Sequence, residues 1–217
     1  MNTEPLPTAL PQRLDKGLAA MGIDLDAIAR ERLLGLLGLL GKWNKAYNLT
    51  AVRDPLAMVP KHLLDSLSLL PDLQGETVLD VGTGAGFPGL PLAIARPALN
   101  FTLLDSALKR VRFVRQAALE LGLENVEVVQ SRIEDYRPGR RFDTVTCRAF
   151  SSLGAFVEAA GGLVAPGGRL VAMKGRYPED ELAECPRDWR LREARPVSVP
   201  GLDAERHQLI LARVTED

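Results

Sequence analysis

The chain has 217 residues, 46% of them hydrophobic, and a net charge of −1. That is enough to bury a substantial core in one domain, or in one domain with an appendage. Near-neutral charge excludes a protein that grips nucleic acid over its whole surface, so any basic surface has to be local.

The only cysteines are Cys147 and Cys185 and the only histidines His62 and His207. Their scattered spacing fits neither a zinc site nor a disulfide framework, and no metal is expected. The N-terminal stretch has no signal-peptide pattern and no uncharged apolar run is long enough to span a membrane, so a cytoplasmic protein is expected.

Residues 1–70 read as a helical extension. From Asp24 to Asn44 the leucines at 33, 34, 36, 37, 39 and 40, with Trp43, recur at helical spacing, and Asp24 or Asp26 can cap the start. Glycines in "LLGLLGLLG" (33–41) weaken a helix and point to close packing against a neighbour. "KWNKAYNLTAVRDP" (42–55) reads as a helix end and a loop, and a short helix follows over 55–70.

From Pro71 the pattern changes. Strands are expected at 77–82, 100–106, 126–131, 142–150, 167–175 and 206–214, with helices over 89–97, 107–123 and around 152–164. The proline-rich, charged stretch 177–201 is left without assigned structure. Alternating strands and helices predict an α/β fold whose mostly parallel sheet carries helices on both faces. Ligands on such sheets bind beyond the carboxyl ends of the strands. The tails to watch are therefore Asp80 to Gly86, Asp105, Ser131 to Glu134, Cys147 to Ala149 and Lys174.

"DVGTGAGFPG" (80–89) places Gly82, Gly84, Gly86 and Gly89 between a strand and a helix, the context of a nucleotide-binding loop. The bland alternative is a tight turn packed on a neighbouring helix. Asp105, at the end of the second strand, can accept hydrogen bonds from both hydroxyls of a ribose, or else cap the helix starting at 107. A pyrophosphate wants backbone amides at a helix N-terminus. A sulfonium with an amino-acid tail gains from a carboxylate at the loop entrance, where Asp80 stands. Ile133 in "SRIED" (131–135) can pack on an adenine. Together these features favour S-adenosylmethionine over NAD.

With these residues in place, the chain resembles the bacterial small-subunit (16S) ribosomal RNA guanine-N7 methyltransferase family, also called glucose-inhibited division protein B. The matching segments are "KWNKAYNLTAVRDP", "HLLDSL", "DVGTGAGFPGLPLAI", "LLDSALKRVRFVRQAALELGLENVEVVQSRIED", "FDTVTCRAF" and "ERHQLI", in order from about residue 40 to near the C-terminus. The resemblance implies a Rossmann-like S-adenosylmethionine-dependent methyltransferase domain over 71–217, packed as one unit with the extension. It places Gly82, Phe87, Ile133, Glu134 and Arg148 at cofactor positions, alongside Asp80, Gly84, Gly86 and Asp105. It also implies RNA-facing roles for Lys109, Arg110, Arg132, Lys174 and Arg206.

Arg148 is the one candidate for a catalytic role, as an orienting group. Guanine N7 carries an in-plane lone pair and no proton to lose, so a general base is not required. Further phosphate contacts could come from "KRVRFVR" (109–115), "RPGRR" (137–141) and "KGR" (174–176), although Lys109, Arg112 and Gln116 also suit the wet face of an amphipathic helix. His62 is expected to be packed or capping, Asp65 to anchor the extension to the sheet, and His207 to lie at the surface or touch RNA. Cys147 stands where the family often has Ser and is expected to act as a small buried residue.

The implied partner is small-subunit ribosomal RNA, within a ribosomal particle, with the chain acting as a monomer. The competing functions are a small-molecule or other-RNA methyltransferase on the same sheet, and a non-catalytic S-adenosylmethionine-binding protein.

Overall fold

The structure is a computed structural model describing residues 7–148 and 150–214. Ala149, named above as part of a strand tail, lies outside the described residues.

The extension begins with α1 (Ala9–Ala20) and α2 (Ala27–Tyr47). Of the two candidate caps it is Asp26 that starts α2, its carboxylate accepting from the Ala29 backbone N–H at 2.7 Å. α2 runs three residues further than the leucine pattern and stops at Asn48, whose φ of 49° is the left-handed conformation of a helix end. Asn44 then pins the following loop, its amide bonding both the carbonyl (3.0 Å) and the N–H (2.9 Å) of Thr50. The next helix is continuous but uneven: α3 (Pro55–Met58), a π-helical turn (Val59–Leu64) and α4 (Asp65–Leu67). Close packing accounts for Gly35, where a Cβ would lie 3.1 Å from Leu121, but not for Gly41, which has open space.

The remainder alternates as the pattern predicts. In order come β1 (Thr77–Val81), α5 (Gly89–Ala95), β2 (Asn100–Asp105), α6 (Leu108–Glu120), β3 (Val126–Gln130), β4 (Phe142–Arg148), α7 (Leu153–Ala160), β5 (Val164–Lys174), α8 (Glu179–Ala183), β6 (Trp189–Pro196) and β7 (His207–Arg213). The sheet order is β3-β2-β1-β4-β5-β7-β6. Strands β1 to β5 are parallel, and β7 runs antiparallel to β5 and β6. The strand order reverses between β1 and β4, which makes their carboxyl ends the crevice where such sheets bind ligands. The stretch 177–201 therefore holds both a helix and an edge strand.

Residues alternate across the sheet and divide the core in two. Val78, Phe101 and Leu103 belong to one cluster with Leu33, Leu37 and Leu64 of the extension and Phe113 of α6. Leu79, Leu104 and Val145 face the other way, with Phe156 of α7 and Trp189 of β6. The helical extension thus covers one face of the sheet, and its own leucines complete that face's core. Among the described residues no helix is long and apolar enough to cross a membrane.

Candidate active site

The glycine loop follows β1, and its four glycines divide by environment. Gly82 is exposed and Gly84 partly exposed. Both have φ above +60°, and a Cβ on Gly82 would meet nothing within 4 Å. Gly86 and Gly89 are buried. A Cβ on Gly86 would collide with Leu90, and one on Gly89 with Leu103 and with Asp80 Oδ2 at 2.8 Å. The first two glycines therefore leave room for something outside the protein, and the last two let the α5 helix pack against the sheet.

Asp80 sits beneath this loop rather than at its mouth. It is fully buried, and its Oδ2 accepts from Thr83 Oγ1 (2.6 Å) and the Gly89 N–H (2.9 Å). Its Oδ1 is buried with no hydrogen-bond partner among the described residues. Burial raises the Asp80 pKa to about 6, against the hydrogen bonds from Thr83 and Gly89 and the charge of Arg148. A buried carboxylate oxygen without a partner is costly, and a cationic group or water reaching it would relieve that cost.

Asp105 caps the start of α6 and also braces the glycine loop. Oδ1 accepts from the Ala107 N–H (2.8 Å) at the start of α6, and Oδ2 accepts from the Gly84 N–H (2.9 Å). Arg110 approaches Oδ2 at 3.4 Å. A carboxylate offers about four acceptor positions, so capacity remains for a further donor.

Phe87 forms one wall of the loop. It is 2% exposed and stacks on His62 with ring centroids 4.8 Å apart. The guanidinium carbon of Arg148 lies 5.8 Å from the Phe87 centroid. His62 Nε2 is 2.9 Å from Thr50 Oγ1, and Nδ1 is 3.1 Å from the Lys61 carbonyl. Burial, aided by the Arg148 charge, lowers the His62 pKa to about 4, so the ring is neutral at pH 7.

Asp65 ties the extension to the sheet. It is 2% exposed and accepts from Arg206 Nε (2.9 Å) on one oxygen and from Arg148 (3.4 Å) on the other. Arg148, at the end of β4, is thereby held by the helical extension, and it also donates to the Lys61 carbonyl at 3.4 Å.

The remaining candidates fall on two sides of the crevice. Beyond β2 and β3, Lys109, Arg110, Arg132 and Glu134 are exposed and Ile133 is half-buried, packed against the core. Beyond β5 and β7 the cations are engaged. Lys174 binds Glu181 Oε2 at 2.7 Å, an oxygen that also accepts from the Leu153 N–H at the start of α7. Arg206 is held by Asp65. Arg140 of "RPGRR" lies at the opposite end of the sheet, where β4 begins, against Glu127, Thr102 and Phe142. Cys147 is buried, which pushes its thiol pKa up. Thr83, Thr50 and Glu181 also shape the site, and of these only the Thr83 hydroxyl, between two glycines, carries a local sequence signal, since Thr50 and Glu181 act on His62 and the Leu153 N–H from distant positions.

Asp80 and His62 pull the pH dependence of stability in opposite directions. The folded state holds a proton on Asp80 (pKa about 6 against 3.8) that the unfolded state has shed, so stability falls as pH rises between those values. The folded state refuses a proton on His62 (about 4 against 6.5) that the unfolded state takes, so stability rises with pH across that window. Each full swing is worth up to about 3 kcal/mol. Urea titrations across this range should give a wild-type curve close to flat, a rising curve for Asp80→Asn and a falling one for His62→Gln. Three parallel curves would refute the assignment.

A family model described as "rRNA small subunit methyltransferase G" (GidB) matches residues 29–210. That span takes in nearly all of α2, the glycine loop and the first four residues of β7. The chain belongs to this family. Among curated GidB relatives, "Ribosomal RNA small subunit methyltransferase G" of Chromohalobacter salexigens is 56% identical over 94% of this chain and 98% of its own. The protein of the same name from Marinobacter nauticus is 52% identical over 94% and 95%. Among solved structures, a SAM-dependent methyltransferase from Aquifex aeolicus aligns with a TM-score of 0.55 at 23% identity, over 73% of this chain and 93% of that one. At that identity the likeness speaks for the fold, a Rossmann-like methyltransferase sheet. The helical extension of this chain carries His62 and Asp65. Among the chain's described residues no cluster of three His, Cys, Asp or Glu could hold a metal ion.

Proposed function

We propose that this protein transfers a methyl group from S-adenosylmethionine to N7 of a guanine in small-subunit ribosomal RNA. The observation that carries the proposal is the family match, which spans the glycine loop and the part of the extension, from residue 29 on, that builds the wall beside it. When bound, S-adenosylmethionine supplies an electrophilic methyl on a sulfonium. The residues suited to hold it are Gly82 and Gly84, where the loop leaves open space, with Asp80 beneath and Phe87 at one side. Asp105 offers its remaining acceptor capacity to a ribose, and Ile133 and Glu134 flank the base.

Attack of the guanine lone pair on the methyl would break the methyl–sulfur bond, release the neutral thioether and shed no proton, so the protein's task is alignment and exclusion of water. Arg148 suits that task. Its charge is offset by Asp65, so it can donate to a guanine oxygen without adding a full positive charge where positive charge develops. In A-form RNA the N7 edge lies in a groove too narrow for side chains, so the target is a loop or a base turned out of its stack.

We assign phosphate contact to Lys109, Arg110 and Arg132, which are exposed on the rim. Lys174 and Arg206 act through the ion pairs that shape the other rim. Residues 1–70 serve as the extension that buttresses the site and 71–217 as the domain that binds the cofactor, and the enzyme works as a cytoplasmic monomer on a ribosomal particle without a metal. Purified enzyme with labelled donor should methylate small ribosomal subunits from cells lacking the protein, with the label mapping to one guanine N7. No transfer to small-subunit RNA would overturn the proposal.

A further inference from the structure

Among the described residues only two aromatic side chains are exposed, Tyr47 at 43% and Tyr177 at 41%. Tyr177 sits just past β5 and meets His207 edge-on, with centroids 5.8 Å apart. Tyr47 ends α2 and is built differently. Trp43, one turn earlier, stacks on its ring at 5.2 Å and 29°, and Trp43 is itself braced edge-on by Phe113 of α6. The ring is thus backed by the core through Trp43 while the residue remains 43% open to solvent.

Two separate paths tie Tyr47 to the glycine loop. Lys109, in the first turn of α6, donates to the Tyr47 carbonyl at 3.4 Å. The next residue, Arg110, reaches Asp105, which holds Gly84. In the other direction the chain runs through Asn48 and Leu49 to Thr50, whose hydroxyl meets His62, which stacks on Phe87. Tyr47 is therefore exposed beside Lys109, in the first turn of the helix that opens just past the carboxyl end of β2, where Leu108 is also exposed.

We infer that Tyr47 is a stacking platform for an unpaired RNA base next to the target guanine, with Lys109 taking the neighbouring phosphate. The inference rests on the methyl-transfer proposal above. A rigid aromatic face beside a cation is the pairing by which proteins hold single-stranded nucleic acid, because any base offers a π-face and the chain a phosphate. It also supplies what the target requires: a guanine turned out of its stack leaves a neighbouring base without its own stacking partner.

The test measures binding of small-subunit ribosomal RNA, naked and as assembled subunits, separately from methyl transfer. Tyr47→Ala should weaken binding of both substrates about tenfold, within the range for losing one base–aromatic stack, while Tyr47→Phe stays within about twofold of wild type. S-adenosylhomocysteine affinity of Tyr47→Ala should not move, and its thermal transition should fall by no more than the few degrees expected for losing the stack on Trp43. Lys109→Gln should lower the salt dependence of RNA binding by about one phosphate contact, and Tyr47→Ala should leave it as in wild type.

Wild-type RNA affinity in Tyr47→Ala overturns the inference. So does an equal loss in Tyr47→Phe, which would make the hydroxyl the contact. A loss confined to assembled subunits would point to a ribosomal protein, and a loss of S-adenosylhomocysteine binding to a structural role; either also overturns it. If wild-type enzyme binds the RNA in this Tyr47-dependent way but transfers no methyl, the methyl-transfer proposal falls and the platform stands.

Discussion

Gly82→Ala is expected to lose S-adenosylhomocysteine affinity by about a hundredfold, or about 2.7 kcal/mol, while unfolding only a few degrees lower. A Cβ at Gly82 meets no protein atom within 4 Å, so the fold bears only the strain of a non-glycine residue at φ +68°, about 1 kcal/mol. The methyl instead enters the space that the loop leaves open. Gly89→Val should behave the opposite way. Its side chain is driven into Leu103 and into the Asp80 oxygen that accepts from the Gly89 N–H. Overpacking and a broken buried hydrogen bond together should cost about 3 kcal/mol. Calorimetric titration beside urea unfolding separates the two variants. Undiminished binding by Gly82→Ala would mean that the open space is not the cofactor bed.

Asp65→Ala should be the most damaging change outside the loop. The carboxylate is buried and is shared by Arg148 and Arg206. Removing it leaves two partly buried guanidinium groups facing each other without an anion. Breaking a buried pair typically costs about 3–5 kcal/mol. Because both arginine side chains are more than a quarter exposed, water will screen them, and a loss of about 2–3 kcal/mol is expected. Asp65→Asn keeps the shape and removes the charge, so it should lose nearly as much if electrostatics dominates. Methyl transfer should fall at least about tenfold even at temperatures where the variant remains folded, since Arg148 loses the contact that aims it. Urea unfolding with initial-rate assays checks both claims. Stability within about 0.5 kcal/mol of wild type, a margin typical of neutral surface changes, would show that the clamp contributes nothing.

The alternation of strands and helices was legible because it is written locally. Apolar runs such as "TVLDV" and "FTLLD" have strand length, and the residues between them have helical period or turn chemistry. The edge strand β6 was not legible. "WRLREARP" is charged, exposed at half of its positions and ends on a proline, and only its antiparallel pairing with β7 gives it strand form. The same limit applied within the loop. Four glycines in a row of ten announce close approach, yet two of them serve the helix and two the open crevice, a distinction made by Leu90 and Leu103 rather than by the loop itself.

The sequence by itself determined the order of elements, the glycine loop between β1 and α5, and the acidic ends of the first two strands, because periodicity and turn chemistry act over a few residues. Tertiary structure alone decided that Asp80 lies under the loop, that Asp65 joins Arg148 and Arg206 across the chain, and that Tyr47 stands open on a backing of Trp43. These outcomes depend on desolvation and on partners brought together from distant segments. No local pattern encodes how much water a carboxylate keeps or which face of an aromatic ring the core leaves uncovered.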